Sequence, residues 1–417
     1  MTSCCVPIEN GKWHVVRGAW CVFFSQKRVF IIKKCDFFLT VRFFTLLFVH
    51  FSLFYYLCEK FRNEKNRNMG NPFKFGTIVD GQYFTDRTKE LQYVEQILKS
   101  ENHLVLISPR RFGKSSLVNK ALEQTERKHI VINMQSVTSV QNFASRLMSA
   151  LFRLYPGEKL KHLMKHFRVV PTVSTNPMTN SVDVSFNPAM DTTVILEDAM
   201  ELLQKVSTEN NRLIVVLDEF QEIEGIKNFD KQLRAIMQTH KHINYVFLGS
   251  QESMMESIFE KKKSPFYHFG QLMRLAKIPY EDFKLYISER LNAELAEDIL
   301  AFTNCHPYYT QQIASQVWDL VNYEHETIDI IPKAIERLVT LHDLDFERLW
   351  LNFNKSDRRV LQELSQSNGT TPFADRSTPT STTFSVLKKL MKQGYVIKTD
   401  HYEIEDPFFK RWVAEKG

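Results

Sequence analysis

Residues 108–116 read Ser-Pro-Arg-Arg-Phe-Gly-Lys-Ser-Ser and follow a short apolar run, 103–107. A strand, a loop containing Gly-Lys-Ser and a helix start together make a phosphate cradle. Successive backbone N–H groups at a helix N-terminus point at the anion, and the helix dipole favours its negative charge. Gly113 lets the backbone approach closely, Lys114 reaches β- and γ-phosphates, and the Ser115 hydroxyl is suited to ligate Mg²⁺. The expected nucleotide-binding set is therefore Ser108, Pro109, Arg110, Arg111, Phe112, Gly113, Lys114, Ser115 and Ser116. Ser108 stands where the pattern GxxxxGK[ST] has its first glycine, so slight strain is expected there.

A second cluster supplies the acids. The run 213–217 (LIVVL) reads as a strand buried on both faces and ends in Asp218-Glu219. Asp218 is placed to hold Mg²⁺ through water, while Glu219 can polarise a water for attack on a γ-phosphate. Lys114, Asp218 and Glu219 are the expected catalytic residues, and Ser115 with Asp218 the expected metal pair. Ser250 and Gln251 follow the run 245–249, where a polar side chain could sense a γ-phosphate. Arg274 is a candidate for the arginine that completes such sites, alongside one from a neighbouring subunit. Arg110 and Arg111 read as loop-stabilising or phosphate-adjacent.

The elements that must position these groups alternate short apolar runs with amphipathic helical stretches, the pattern of an α/β domain with a parallel sheet. Strands are expected at 103–107, 129–133, 213–217, 245–249 and 272–278, with helices between them, for example 143–155 and 194–205. Residues 171–188 carry Pro, Asn, Ser and Thr around a short alternating run, which predicts an inserted hairpin or surface loop. Beyond 279 the pattern turns helical, at 281–291, 295–303 and 308–322. Helices at 356–366 and 382–393, then a hairpin of 395–399 with 402–405, give the outline of a winged helix.

The 417-residue chain allows two or three domains. Its net charge of +6 is unevenly placed: residues 1–68 hold 11 Lys/Arg against 4 Asp/Glu, so the remainder is close to neutral. Five of the six cysteines also lie there, leaving Cys305 alone in the body and no internal disulfide, which suits a reducing cytoplasm. Within this basic, Phe-rich extension, residues 37–57 are apolar and long enough to span a bilayer, with Arg42 as the main opposing charge. Two readings stay open: a membrane anchor, or a mis-called start ahead of Met69. The second draws on the absence of a small-residue cleavage site and on a Phe, Lys and Asn excess typical of translated AT-rich DNA.

The chain resembles the archaeal-type predicted ATPases of the AAA+/STAND group, over about residues 71–417. The resemblance rests on NPFKFG, FTDRTKEL, SPRRFGKSS, LIVVLDEFQEI, FLGSQESMM, SPFYHFGQLMRL, CHPYYTQQ and YEIEDPFFKRW. It implies a P-loop core of residues 69–279 with strand order 5-1-4-3-2, a helical lid over 280–350 and a winged helix over 351–417. It also implies residues 84–91 near the adenine and Pro307 near the nucleotide. Three departures stand out: Asp86 replaces a glycine before Arg87, Cys305 replaces one before His306, and Gln271 follows Gly270 where relatives have arginine.

The expected function is Mg²⁺-dependent ATP hydrolysis whose nucleotide state gates a protein client. The alternative is a nucleotide-dependent DNA-binding regulator using the winged helix, where Lys388, Lys389 and Lys392, with Arg376 upstream, form a modest basic patch. A third reading is a switch that binds ATP with little turnover. A homo-oligomer is a further expected partner arrangement.

Overall fold

The computed structural model describes residues 13–16, 20–25, 28–33 and 70–417, apart from 80, 85–86, 176–177, 179–181, 367–379 and 399–400. The chain divides into two compact units, Met1–Gly70 and Asn71–Gly417. In the first, β1 (Trp13–Val16), β2 (Trp20–Ser25) and β3 (Arg28–Lys33) form an antiparallel sheet in that order. The apolar segment 37–57 lies outside the described residues. Among the described residues no helix is long and apolar enough to cross a membrane.

The second unit starts on α1 (Thr88–Lys99), followed by β4 (Leu104–Ile107), α2 (Lys114–Thr125), β5 (His129–Asn133) and α3 (Val140–Leu154). A short α4 (Gly157–Leu163) leads to an antiparallel hairpin, β6 (Thr172–Thr175) with β7 (Val182–Ser185), where an insertion was expected. Next come α5 (Thr192–Val206), β8 (Leu213–Asp218), α6 (Phe229–Met237), β9 (Ile243–Gly249), α7 (Glu252–Phe259) and β10 (Gln271–Arg274).

Five strands pair in the order β10-β4-β9-β8-β5, all parallel. Counted within the sheet, that is 5-1-4-3-2. Because successive side chains alternate across a strand, each unbroken apolar run feeds two cores. Val105, Ile107, Val215, Leu217 and Phe247 point to the face covered by α3, α5, α6 and α7. Leu104, Leu106, Ile214, Val216 and Leu248 point to the face covered by α1 and α2. β10 ends at Arg274, short of the expected 278. At Gly249, the last residue of β9, an added Cβ would lie 2.3 Å from the fully buried Met255 side chain, so α7 closes on bare backbone there.

A further core gathers the remaining helices: α8 (Tyr280–Ser288), α9 (Ala293–Thr303), α10 (Pro307–Asn322), α11 (Ile330–Leu341), α12 (Asp343–Asn352) and α13 (Lys355–Gln366). It includes α14 (Thr380–Gln393), the hairpin β11 (Val396–Lys398) with β12 (Tyr402–Ile404), and α15 (Pro407–Lys416). The C-terminal end is thus a small helix-strand-strand-helix motif. Asn71 donates to the Ser315 carbonyl and Asp319 on α10, and Phe73 enters this core, so the segment before α1 is docked there.

Candidate active site

The chain leaves β4 at Ile107 and turns through residues 108–113 before α2 begins at Lys114. Two turn positions have left-handed backbone, Arg111 at φ 63° and Gly113 at φ 88°. Glycine takes that conformation without a Cβ clash; arginine does not. Ser108 is not among the positive-φ residues, and its N–H faces the Gly249 carbonyl at 3.4 Å. The strain expected at Ser108 therefore lies at Arg111, because the chain reverses later in the loop than the glycine pattern suggests.

Lys114 is only 6% exposed, and its Nζ donates to the carbonyls of Ser108 at 3.0 Å and Pro109 at 2.9 Å. Burial pushes the ammonium down to about 8, against the opposing pull of Glu219, Asp218 and Glu252. A charge held by carbonyl dipoles in a closed site is ready to exchange them for anionic oxygens.

β9 lies between β4 and β8, so the loop and the acids spring from strands roughly 9–10 Å apart. The first turn of α2 spans that gap: Ser115 Oγ donates to Asp218 Oδ2 at 3.4 Å. Asp218 Oδ1 accepts the Glu219 N–H at 3.0 Å, while burial and the neighbouring Glu219 raise its carboxyl pKa. Glu219 is left-handed, at φ 53°. Its Oε2 accepts from Ser250 Oγ and from Gln221 Nε2, both at 2.6 Å. Ser250, expected as a sensor, thus contacts the acid directly. Gln221, fully buried, was missed: nothing in an Asp-Glu-Phe-Gln run shows that the reversal at Glu219 brings the amide back onto the carboxylate. Gln251 precedes α7 without a side-chain cap.

A cleft of about 530 Å³ opens beside the loop, lined by residues 110–116 and Glu219. Its opposite wall comes from residues 74–79, Phe84, Arg87, Ile278, Pro307, Tyr308 and Gln311. Phe84 and Arg87, within the expected segment 84–91, and Pro307 line this wall as expected; the other wall residues come from distant segments whose meeting only the fold creates. Arg87 is buried and donates to the carbonyls of Phe112 at 3.1 Å and Ala276 at 3.0 Å, tying the loop to the end of the sheet. A larger groove of about 700 Å³ between α1 and α8 is lined by neither Lys114 nor Asp218.

Arg274, the candidate accessory arginine, has its guanidinium paired on the surface with Glu256 at 3.1 Å and Glu260 at 2.5 Å. Gln271 pairs with Leu104, at the end of the sheet away from the loop, so an arginine there would not reach the phosphates. Cys305 sits at φ 56°, which explains why glycine suits that position. Asp86 lies outside the described residues.

Ser115 and Asp218 offer a hydroxyl and a carboxylate oxygen, the hard donors a Mg²⁺ ion takes. Among the described residues there is no group of three or more His, Cys, Asp or Glu that could hold a metal. A cation here would therefore complete its shell with phosphate and water, as Mg²⁺ does in nucleotide sites.

Residues 84–313, more than half of the chain, match an ATPase domain described as predominantly from Archaea. The chain belongs to this ATPase family. No curated protein matches the sequence. Among solved structures, this member of the family is similar to the Walker-type ATPase paby2304 of Pyrococcus abyssi, at 14% identity and a TM-score of 0.58, over 82% of this chain and 99% of that one. It is also similar to the ORC2 protein of Aeropyrum pernix in its ADPNP-ADP complexes, at 13% identity and a TM-score of 0.51, over 83% and 96%. At these identities the likeness establishes the fold: a parallel-sheet P-loop core with surrounding helices. Family membership makes the archaeal-type domain an ATP-binding, ATP-hydrolysing one.

Proposed function

We propose that the chain hydrolyses ATP with Mg²⁺ in this cleft and that its C-terminal segments respond to the nucleotide. The observation that carries the reading is the meeting of Ser115 and Asp218 at 3.4 Å, which joins the phosphate loop to the acid pair. Backbone N–H groups of 110–115 cradle the phosphates, and Lys114 exchanges the Ser108 and Pro109 carbonyls for β- and γ-oxygens. Ser115 and Asp218 would hold Mg²⁺, which would supply charge neutralisation to the phosphates. Glu219, anchored through Oε2, presents its other oxygen to a water. That water bonds to the γ-phosphorus as it yields its proton, and the bridging oxygen departs with ADP. Phe84, Ile278 and Pro307 supply apolar surface for the base. Phosphate release from Mg·ATP by the wild type and by Lys114→Ala tests the assignment: equal rates would overturn it.

The finer reading divides residues 69–279 as core, 280–350 as a lid and 351–417 as a winged helix. For that last segment we favour a DNA-contacting role. α14 leaves Lys388 and Lys392 exposed, with Phe384 55% exposed on the same helix. Lys389 contributes less, because its ammonium lies 2.6 Å from the buried Asp357. Contacts of this kind bind backbone phosphate and weaken steeply with salt. Gel-shift measurements across a salt series, with and without ATP, test this; absence of salt-dependent retardation leaves the gating of a protein client. Gating is supported by a hydrogen-bonded link from Arg111 through Tyr309 to Glu405. With Arg274 paired on the surface, a second copy of the chain is the proposed source of any completing arginine.

A further inference from the structure

Arg111 is unusual in two respects: its backbone is left-handed, and its side chain lines the nucleotide cleft while bonding to a residue outside the loop. Nη1 donates to the Tyr309 hydroxyl at 3.2 Å, and the guanidinium carbon lies 4.5 Å from the centre of the Tyr308 ring. Tyr309 is buried, and its hydroxyl has a single proton. That proton goes to Glu405 Oε2 at 2.7 Å, which leaves the phenol oxygen to accept from Arg111 and fixes the direction of both bonds. The other oxygen of Glu405 lies 3.3 Å from His306 Nε2, and the His306 ring meets Phe112 edge-on, centroids 4.9 Å apart. One carboxylate following β12 thus bonds through Tyr309 to Arg111 and stands beside His306, which packs on the next loop residue, Phe112.

The hairpin that carries this carboxylate is itself anchored. Glu403 accepts from Lys277 at 2.5 Å, just beyond the last strand of the sheet, and from Asn304 at 2.8 Å. The carboxylate is therefore held relative to the loop by ties to both the sheet and the helices.

We propose that Glu405 is a positioning residue of the phosphate site, acting through Tyr309 to fix the Arg111 guanidinium at the mouth of the cleft. The proposal rests on the ATP-site reading above. Arginine has five N–H donors in a rigid fork, and Tyr309 engages one nitrogen; the rest of the fork can meet a phosphate oxygen pair. Holding the fork in advance removes the ordering that binding would otherwise require. The relay therefore acts on ATP affinity and not on the chemical step.

Steady-state hydrolysis of Mg·ATP by the full chain provides the test. Tyr309→Phe deletes the hydroxyl and keeps the ring. It is expected to raise KM for ATP by about 3- to 10-fold, the range for one ordinary hydrogen bond and less than a direct charge-assisted one because the bond acts only by ordering the fork, with kcat within about twofold of wild type. Glu405→Gln keeps the shape and should raise KM in the same direction by less. Arg111→Gln combined with Tyr309→Phe should be no worse than Arg111→Gln alone, since both break one relay. Thermal melts confirm that each variant folds, and Glu405→Gln serves as the readout if Tyr309→Phe does not. An unchanged or lowered KM in the folded single variants, a fall in kcat at constant KM, or multiplying effects in the double variant would each overturn the proposal. If Lys114→Ala is inactive while the relay variants match wild type, only the relay fails; a wild type without turnover or ATP binding removes the underlying reading as well.

Discussion

The Ser250 hydroxyl donates to Glu219 at 2.6 Å, on the same oxygen that accepts the Gln221 amide. Ser250 follows β9, and Gln221 lies past the reversal after β8. The carboxylate is therefore fixed by groups that follow two neighbouring strands, and Glu219 lines the cleft.

Glu219→Gln keeps the size and one acceptor oxygen for Ser250 and Gln221 but removes the base. Turnover is expected to fall by about 100-fold or more, with ATP affinity within about twofold. Single-turnover phosphate release and calorimetric titration with Mg·ATP measure the two quantities separately.

Gln221→Leu should slow turnover by about tenfold by freeing the Glu219 side chain, and should add nothing to Glu219→Gln. A cycle of these two substitutions, read as kcat, checks the dependence. Independent effects would place Gln221 in packing alone.

Lys114 gives a pH signature. Burial lowers its folded pKa to about 8 from 10.5. Between those values the unfolded chain binds more protons, so stability rises with pH across the window. Below it both states are charged and the burial cost is fully present. The nucleotide-free protein should gain roughly 3 kcal/mol from pH 8 to pH 10.5 by this group, a rise missing in Lys114→Met. Urea unfolding at stepped pH measures the difference.

Much of this site was legible because its strands are unbroken apolar runs ending in chemistry. Runs 103–107 and 213–217 read as buried strands; Gly113-Lys114-Ser115 follows the first after a five-residue loop, and Asp218-Glu219 follows the second directly. What stayed hidden depends on tertiary contact. The loop strain moved from Ser108 to Arg111 because φ is set by the whole turn. The surroundings of Gln271 and Arg274 became readable only once β10 was placed: one lies at the far end of the sheet, the other on the surface between two glutamates. Tyr308, Gln311 and residues 74–79 reach the cleft from remote segments, and no local spacing announces that.

Cys305→Gly should stabilise the protein. Residue 305 holds φ 56°, a conformation that a Cβ disfavours. Relief of that strain outweighs the entropy gained by the unfolded chain, for a net of about 0.5–1 kcal/mol. Chemical denaturation midpoints would reveal it, and a loss of stability would place the value of Cys305 in its packing.

Arg274→Ala is expected to leave ATP turnover within about twofold, because the residue is occupied by Glu256 and Glu260 in exposed pairs of small energetic value. A large fall in kcat would return it to the reaction.

Gly249 ends the strand that Ser250 follows, and only a hydrogen separates its backbone from the Met255 thioether. A methyl group there would have to move a buried methionine, and the shift would pass to the very next residue. The interval between turnovers would then depend on how an outer helix packs, so suppressors or poisons of the reaction could arise in oily positions that no nucleotide ever meets.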